Sequence, residues 1–375
     1  MSTPPSSDSA AAVIRASDSV ANQSDSAMAA AADPAMDPAL TTIQPGGGIV
    51  MSIELAWGSV RRWYLRKFRK GFVQRMEATR QGNRGPIPLD PVDPRDIKYY
   101  RNQDTHWWAD ADDPFAWRDS LPFVRVGLAE LVLIGGGFLL LALLAGVFRW
   151  PLAVPFLVLA GLVVWFFRNP NRQIPDQPGT IVSPADGKLV QIDRIDDPEL
   201  GRCVLFGIFL SIFNVHANRS SLPGRVIAVR YKPGKFLNAL RPESAQQNEN
   251  LDVILTDTES SDRKYRIRQI TGQFARRIVC WVRPGDLLDR GEMFGMIKLG
   301  SRTELVIPDC ESLEITAKIG EKVCAGSTIL GRYRNPTDPV SAPIIPSDPS
   351  VIASDPSVIA SNESADASTD NEDSP

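Results

Sequence analysis

At 375 residues the chain has room for one good-sized domain with appendages, and its net charge of −3 argues neither for nor against a nucleic-acid partner. Its four cysteines, Cys203, Cys280, Cys310 and Cys324, are scattered with no CxxC pair, so they read as free thiols in a reducing compartment and no metal site is expected. The first residues lack a basic segment followed by an apolar core, so no secretory signal is expected.

Residues 1–47 are rich in Ala, Ser, Asp and Pro and poor in large apolar side chains. Such a segment buries too little surface to offset its ordering entropy, and disorder is expected there. Residues 48–120 form a basic segment and connector. Within them, residues 61–84 carry nine Arg or Lys against one acid, Glu77. Aromatic residues (Trp57, Trp63, Tyr64, Phe68, Phe72) interleave with these cations. Residues 56–76 therefore read as an amphipathic helix on an anionic membrane surface, where each cation contributes about 1 kcal/mol. A solvated charged helix is the plainer alternative. The Pro-, Asp- and Trp-rich stretch 85–120 carries no assignable role.

An apolar stretch runs over 127–167 and breaks at Arg149-Trp150-Pro151. The first part, 127–148, is long enough to cross a bilayer, for which about 20 residues are needed. The second, 151–167, is at the lower limit and contains Pro155. Basic residues flank the pair on both outer sides, so by the positive-inside rule both ends face the cytoplasm and 121–168 forms a membrane hairpin. A shallow re-entrant pair and two buried helices of a soluble core are the alternatives.

From residue 181 the texture changes to short apolar runs separated by Gly, Pro, Asn and Asp turn signals. That pattern predicts a mainly β sandwich or barrel-like domain over 169–333. The run ESLEITAKIGEKVCAGSTILG (311–331) contains the GxxVxxG turn of lipoyl-type hairpins but lacks their modified lysine. Residues 334–375 hold only acids as charged side chains after Arg334 and repeat SDPSVIA at 347–353 and 354–360, which reads as a flexible acidic tail.

Only two histidines are present. His106 lies in a Trp-rich connector and carries little functional promise. His216 ends an apolar run, and a lone histidine there is usually structural. Two further residues change its reading: Asp186 in the SPADGK turn, and Ser301 directly after Gly300 between two apolar runs. Asp, His and Ser together can orient, deprotonate and attack. Alone, such a trio is weak.

Seven blocks give it weight: FFRNPNR (166–172), IVSPADGKLV (181–190), IFLSIFNVHANR (208–219), YKPGKFLNA (231–239) with Gly224, GQFARRIVC (272–280), GEMFGMIKLGSR (291–302) and the following CAGSTIL. In order and spacing they resemble phosphatidylserine decarboxylases, over about 120–332. Gly-Ser-Arg and the FFRNP block resemble the short form of that family. Asn248-Glu249-Asn250 departs from the family's usual Asn-Glu-Arg, which puts the role of that loop in doubt.

The resemblance implies a proenzyme that cuts itself between Gly300 and Ser301 into a β chain (1–300) and an α chain (301–375). Asp186 is implied to orient His216, which takes the Ser301 proton. Ser301 then becomes a pyruvoyl group, the cofactor, which holds the head-group amine as a Schiff base and accepts the electron pair as CO2 leaves. His216 is the candidate to reprotonate the carbon. Arg219 and Lys235 are candidates for the substrate's phosphate or carboxylate. The implied partners are phosphatidylserine in the bilayer, the membrane itself and a second copy as homodimer, with no nucleic acid. The implied location is the inner (cell) membrane, with the catalytic domain on the cytoplasmic face.

Rival readings remain. A serine hydrolase would use the same trio, but Ser301 is not in a Gly-x-Ser-x-Gly elbow. A non-catalytic membrane-tethered β module would neither cut itself nor carry a carbonyl. A third reading keeps the chemistry and changes the serine phospholipid.

Overall fold

The computed structural model describes residues 36–334, apart from 84, 86, 240–242, 274–276 and 299. The acidic tail from 335 and residues 1–35 lie outside the described residues. Residues 36–47, expected to be disordered, are packed instead. Leu40 and Ile43 are buried, Ile43 N–H donates to the Tyr99 carbonyl, and the Ile43 carbonyl accepts from Cys280 N–H at 2.8 Å. Two apolar side chains and a pair of backbone bonds suffice to dock a segment whose composition is otherwise polar.

Two helices follow, α1 (Ile49–Phe68) and α2 (Lys70–Thr79). The connector then returns along α1, and the buried carboxylates of Asp93 and Asp96 both pair with Arg61. The stretch without an assignable role is thus the electrostatic seat of α1.

The apolar stretch forms two antiparallel helical runs, α3 (Arg125–Phe148) and α4 (Trp150–Phe166). A π-helical turn, Leu131–Gly135, interrupts α3. At 1.5 Å per residue, its 24 residues extend about 36 Å, enough for a hydrocarbon core of about 30 Å. Leu143, Val147, Phe148 and Trp150 are exposed, so the far end of the pair is covered by no protein. Its two legs are tied at the foot, where Val124 N–H donates to the Phe167 carbonyl and Asn169 N–H to the Pro122 carbonyl, and Phe166 and Phe167 pack with Val215, Ala217 and Met296 of the β domain. Ala142, Ala160 and Phe166 are the buried apolar side chains of these two helices, and most of their large apolar side chains are exposed.

The domain over 169–333 is mainly β, as the turn spacing predicts. An eight-stranded sheet has the order β13-β2-β3-β11-β7-β6-β5-β9. Its strands are β2 (Gly187–Asp197), β3 (Gly201–Leu210), β5 (Gly224–Lys232), β6 (Asn250–Asp257), β7 (Lys264–Thr271), β9 (Leu287–Leu288), β11 (Ser301–Pro308) and β13 (Lys322–Val323). A second sheet, β4 (Ala217–Arg219), β10 (Met293–Lys298) and β8 (Arg277–Cys280), packs against it. Phe206, Ile208, Ile267, Phe294 and Leu305 belong to one core cluster spanning both sheets. A third small sheet joins β1 (Thr180–Val182), β14 (Ile329–Tyr333) and β12 (Leu313–Ile315); the lipoyl-like turn, which includes β13, lies between β12 and β14.

Strand β11 is central and antiparallel to both neighbours, placing Ser301 opposite Leu210 on β3 and Thr271 on β7. Alternation along β11 puts Ser301 and Thr303 on one face and Arg302 and Glu304 on the other. Arg302 and Glu304 pair at 2.9 Å. Thr303 accepts from Asn218 at 3.0 Å, which fixes β4 over the start of β11.

Candidate active site

The Gly300–Ser301 junction lies where the two sheets meet. Gly300 adopts φ +54°, a left-handed conformation that costs a side-chain-bearing residue about 1–2 kcal/mol. Space is open at its Cα, since the nearest neighbour to an added Cβ is Ile212 Cγ2 at 4.0 Å, so the backbone, not crowding, calls for glycine. Ser301 is fully buried and its Oγ has no hydrogen-bond partner among the described residues. An unpaired hydroxyl in a packed core costs about 1–3 kcal/mol, a cost that persists where chemistry requires it. Behind the junction, a Cβ at Gly272 would lie far inside van der Waals contact with the Gly300 carbonyl oxygen. Glycine there lets the end of β7 close against that carbonyl.

His216 is fully buried beside this peptide. Its Nδ1 lies 2.9 Å from the Asn214 carbonyl, which can only accept, so Nδ1 carries the proton. Nε2 is then the free lone pair, and it accepts from Gly300 N–H at 3.2 Å. Burial, with a smaller push from the nearby Arg168 charge, pulls the imidazole pKa down to about 4, against the opposing Asn214 bond. His216 is therefore a neutral base at neutral pH. The turn that carries it is pinned, because Asn214 Oδ1 accepts from both Ser211 N–H and Ser211 Oγ.

The foot of the hairpin forms the wall of the site. The Phe166 ring lies 4.5 Å from the imidazole, centroid to centroid. Trp165 Nε1 and the Arg168 guanidinium both donate to the Phe213 carbonyl. On the other side Lys298, two residues before Gly300, is buried against Glu130 of α3 and also donates to Gln44. Burial lowers the Lys298 pKa, and the Glu130 carboxylate opposes that shift.

Asp186 is placed otherwise than the trio suggests. Its carboxylate accepts from Arg172 at 2.8 Å and from Ala325 N–H at 2.8 Å, and no hydrogen bond joins it to His216 among the described residues. It ties the FFRNPNR block, the SPADGK turn and the lipoyl-like turn together. Arg219 is directed inward, donating to the Gly291 carbonyl and Asn169 Oδ1. Lys235 is exposed on the loop after β5 and donates to Gln247. In the tripeptide that departs from the family at Asn250, the matching Asn248 is buried; its side chain accepts from Leu237 N–H and donates to the Leu237 and Thr271 carbonyls. It thereby fixes the end of β7 opposite Ser301.

Reading the sequence alone missed Asn214, Phe166, Gly272 and the Lys298–Glu130 pair. Asn214, Phe166, Gly272 and Lys298 stand inside the quoted blocks, so their proximity in sequence was available. Glu130 left only the signal of an acid inside an apolar stretch.

Comparison with known proteins matches these same elements. The sequence model of phosphatidylserine decarboxylase covers residues 159–331. A phosphatidylserine decarboxylase proenzyme of Rhodopirellula baltica is 69% identical over 238 residues, 64% of this chain and 99% of that one. Proenzymes of the same name from Desulfotalea psychrophila (40% over 179 residues, 47% of this chain and 82% of that one) and Symbiobacterium thermophilum (38% over 227 residues, 60% and 98%) are also similar.

Proposed function

This chain belongs to the phosphatidylserine decarboxylase family, and on that premise we propose that it cuts itself between Gly300 and Ser301 and then decarboxylates phosphatidylserine to phosphatidylethanolamine at a membrane. It is an enzyme, a decarboxylase made as a proenzyme like its relatives. The observation that carries the cleavage reading is the pairing of a neutral, buried His216 with the Gly300 amide beside a partnerless Ser301 hydroxyl.

In the proposed processing, His216 Nε2 takes the Ser301 Oγ proton as the oxygen attacks the Gly300 carbonyl carbon. The C–N bond breaks and an ester replaces the amide. Loss of the Ser301 α-proton expels the Gly300 carboxylate, which carries away the serine oxygen. Water then hydrolyses the remaining enamine, as its imine, to a ketone with release of ammonia. Residues 1–300 and 301–375 are the products. A pyruvoyl group at position 301 fits the site, since Ser301 is buried there with a polar atom unsatisfied among the described residues. When formed, that group supplies an electron sink for the departing carboxylate.

The chain's own residues supply the rest. His216, a base in processing, holds the proton for the carbon that loses CO2. Phe166 and the packed sheets exclude water. Arg168, Arg172 and Arg219 lie around one carboxylate, Asp186, a cationic surplus suited to an anionic head group. Asp186 supports the site by holding Arg172 and the lipoyl-like turn. Lys235, on an exposed loop, is a second candidate contact for the head group.

A diacyl lipid leaves the bilayer reluctantly, at about 0.8 kcal/mol per buried CH2, so the site must come to the interface. The hairpin foot, touching His216, is suited to hold it there. The cations on the catalytic side favour the cytoplasmic face of the cell membrane.

Intact masses of the denatured chain and of Ser301→Ala test this. Two fragments meeting at Gly300/Ser301, the smaller blocked by a ketone, with the variant whole, are expected. A single uncut chain in both samples overturns self-processing. Turnover of phosphatidylserine against other serine phospholipids then tests the substrate.

A further inference from the structure

Helix α1 wears its faces reversed. On an ordinary surface helix the apolar stripe faces the protein and the charges face water. Here the inward face carries the charges. Arg61 pairs with Asp93 and Asp96, Arg62 reaches Asp96 at 3.3 Å, and Glu54 is held by Lys98 at 2.6 Å. The outward face carries Ile49, Ile53, Trp57, Val60, Tyr64 and Phe68, a single stripe at helical spacing, with Trp57 65% and Phe68 57% exposed. Trp63 beside the stripe is 58% exposed. Large exposed apolar faces of this kind mark a surface that something covers.

Three observations select the cover. The stripe and its flank carry Trp57, Trp63 and Tyr64, side chains that favour the water–lipid boundary. Cations cluster at its end: Arg66, Lys67, Arg69 and Lys70 are exposed, and the Lys67 ammonium lies 5.3 Å over Trp63, its stem alongside the aromatic surface. The helix also starts at the hairpin foot, where Met51 and Leu55 join the cluster of Val124, Phe166 and Phe167. A charged inner seat and an apolar outer face beside a hydrophobic hairpin describe a helix lying in the plane of the interface.

We propose that α1 is an interfacial helix that docks on an anionic bilayer by its Ile53–Trp57–Tyr64–Phe68 stripe. It is a second attachment, lying outside the family-matched residues 159–331 and beyond the hairpin. The inference rests on reading α3–α4 as membrane-inserted but not on the chemistry at Ser301. Bound this way, α1 fixes the tilt of the catalytic domain, because one insertion point permits rotation and a second, lateral one restricts it. Of the cations expected to draw the chain to lipid, Arg61 and Arg62 are removed from that role by Asp93 and Asp96, while Arg66 and Arg80 pair with Asp90.

Nitroxide labels on the full chain test it. Cys310 and Cys324, the exposed thiols, are replaced by serine, and labels are placed by Ile53→Cys, Tyr64→Cys, Leu143→Cys on the hairpin and Arg202→Cys on the β domain. Collision with oxygen and with a water-soluble nickel chelate is read in vesicles of phosphatidylcholine and phosphatidylglycerol. Labels at 53 and 64 are expected to resemble 143, rich in oxygen collisions and shielded from nickel, while 202 remains open to nickel. Nickel access at 53 and 64 with 143 shielded overturns the proposal and spares the hairpin. Nickel access at all four sites overturns both. Spin–spin broadening at 53 or 64 overturns it in favour of a second copy on the stripe.

A functional measurement accompanies this. Trp57→Glu/Trp63→Glu is expected to lose several-fold in turnover of vesicle-borne phosphatidylserine while self-cleavage and turnover in detergent micelles stay unchanged. Equal turnover on vesicles and micelles overturns the proposal.

Discussion

Phe166, the last residue of the hydrophobic hairpin, lies ring to ring with His216, with 4.5 Å between centroids. The element proposed to enter the bilayer therefore also supplies the apolar wall that keeps the imidazole neutral. On the proposed function, anchoring and chemistry share one side chain.

Replacing that wall tests the coupling. Phe166→Ala removes a buried ring at a cost of about 3 kcal/mol in stability. It also admits water to His216, so the pKa of the imidazole rises toward its ordinary value near 6.5. The pH midpoint for self-cleavage is then expected to move up, with Phe166→Leu intermediate. Cleavage time courses on gels across pH check this, and an unmoved midpoint in both variants removes Phe166 from the site.

The His216 pKa has a stability consequence of defined sign. The folded value, about 4, lies below the unfolded value near 6.5, so the unfolded chain binds the proton more readily. The contribution from neutral burial is fully present above pH 6.5 and is lost as pH falls toward 4, by about 3 kcal/mol at most. Self-cleavage is expected to be flat through neutrality and to fail near pH 4. Denaturant melts of Ser301→Ala, which stays whole, against Ser301→Ala/His216→Gln should show this pH slope only where the histidine is present.

The buried pair Lys298–Glu130 links the residue two before Gly300 to the hairpin. Glu130→Leu alone leaves an ammonium unpaired in a buried site, a loss of about 3–5 kcal/mol. Glu130→Leu/Lys298→Met removes both charges and is expected to recover most of the melting temperature. A double-mutant cycle on thermal melts measures the coupling. If the single and double variants melt alike, the pair contributes nothing.

Gly272 makes the sharpest steric prediction. A methyl group there meets the Gly300 carbonyl oxygen, a backbone atom that cannot rotate away. Gly272→Ala is expected to push the junction from His216 and slow cleavage at least tenfold, since a shift that costs about 1.4 kcal/mol in the transition state is enough. Intact-mass kinetics read it directly, and normal processing would show that β7 can retreat.

Much of this was legible in the chain. The turn-punctuated apolar runs gave a mainly β domain, because strand alternation and turn chemistry are local properties. The pair of helices was legible because the length of an apolar run and its break at Arg149-Trp150-Pro151 are local properties. Ser301, His216 and Gly300 stood out because each sits in a compact block of residues. Gly300 needs its own backbone freedom, and that too is local.

Partners are another matter. Asp186 looked like the companion of His216, yet it turned to Arg172 and Ala325, and the Nδ1 proton went to the Asn214 carbonyl, two residues away on a pinned turn. Residues 36–47 looked unstructured by composition, yet Leu40 and Ile43 found a core. Glu130 and Lys298 stand 168 residues apart. The aromatic and basic pattern of α1 suggested a membrane face, but which cations face outward was settled by Asp93 and Asp96 from the returning connector. Sequence alone determined the elements and the candidate reactive groups, since periodicity, length and glycine placement act over a few residues. The tertiary structure alone decided who meets whom, because burial and hydrogen-bond satisfaction are fixed only when distant segments compete for the same space.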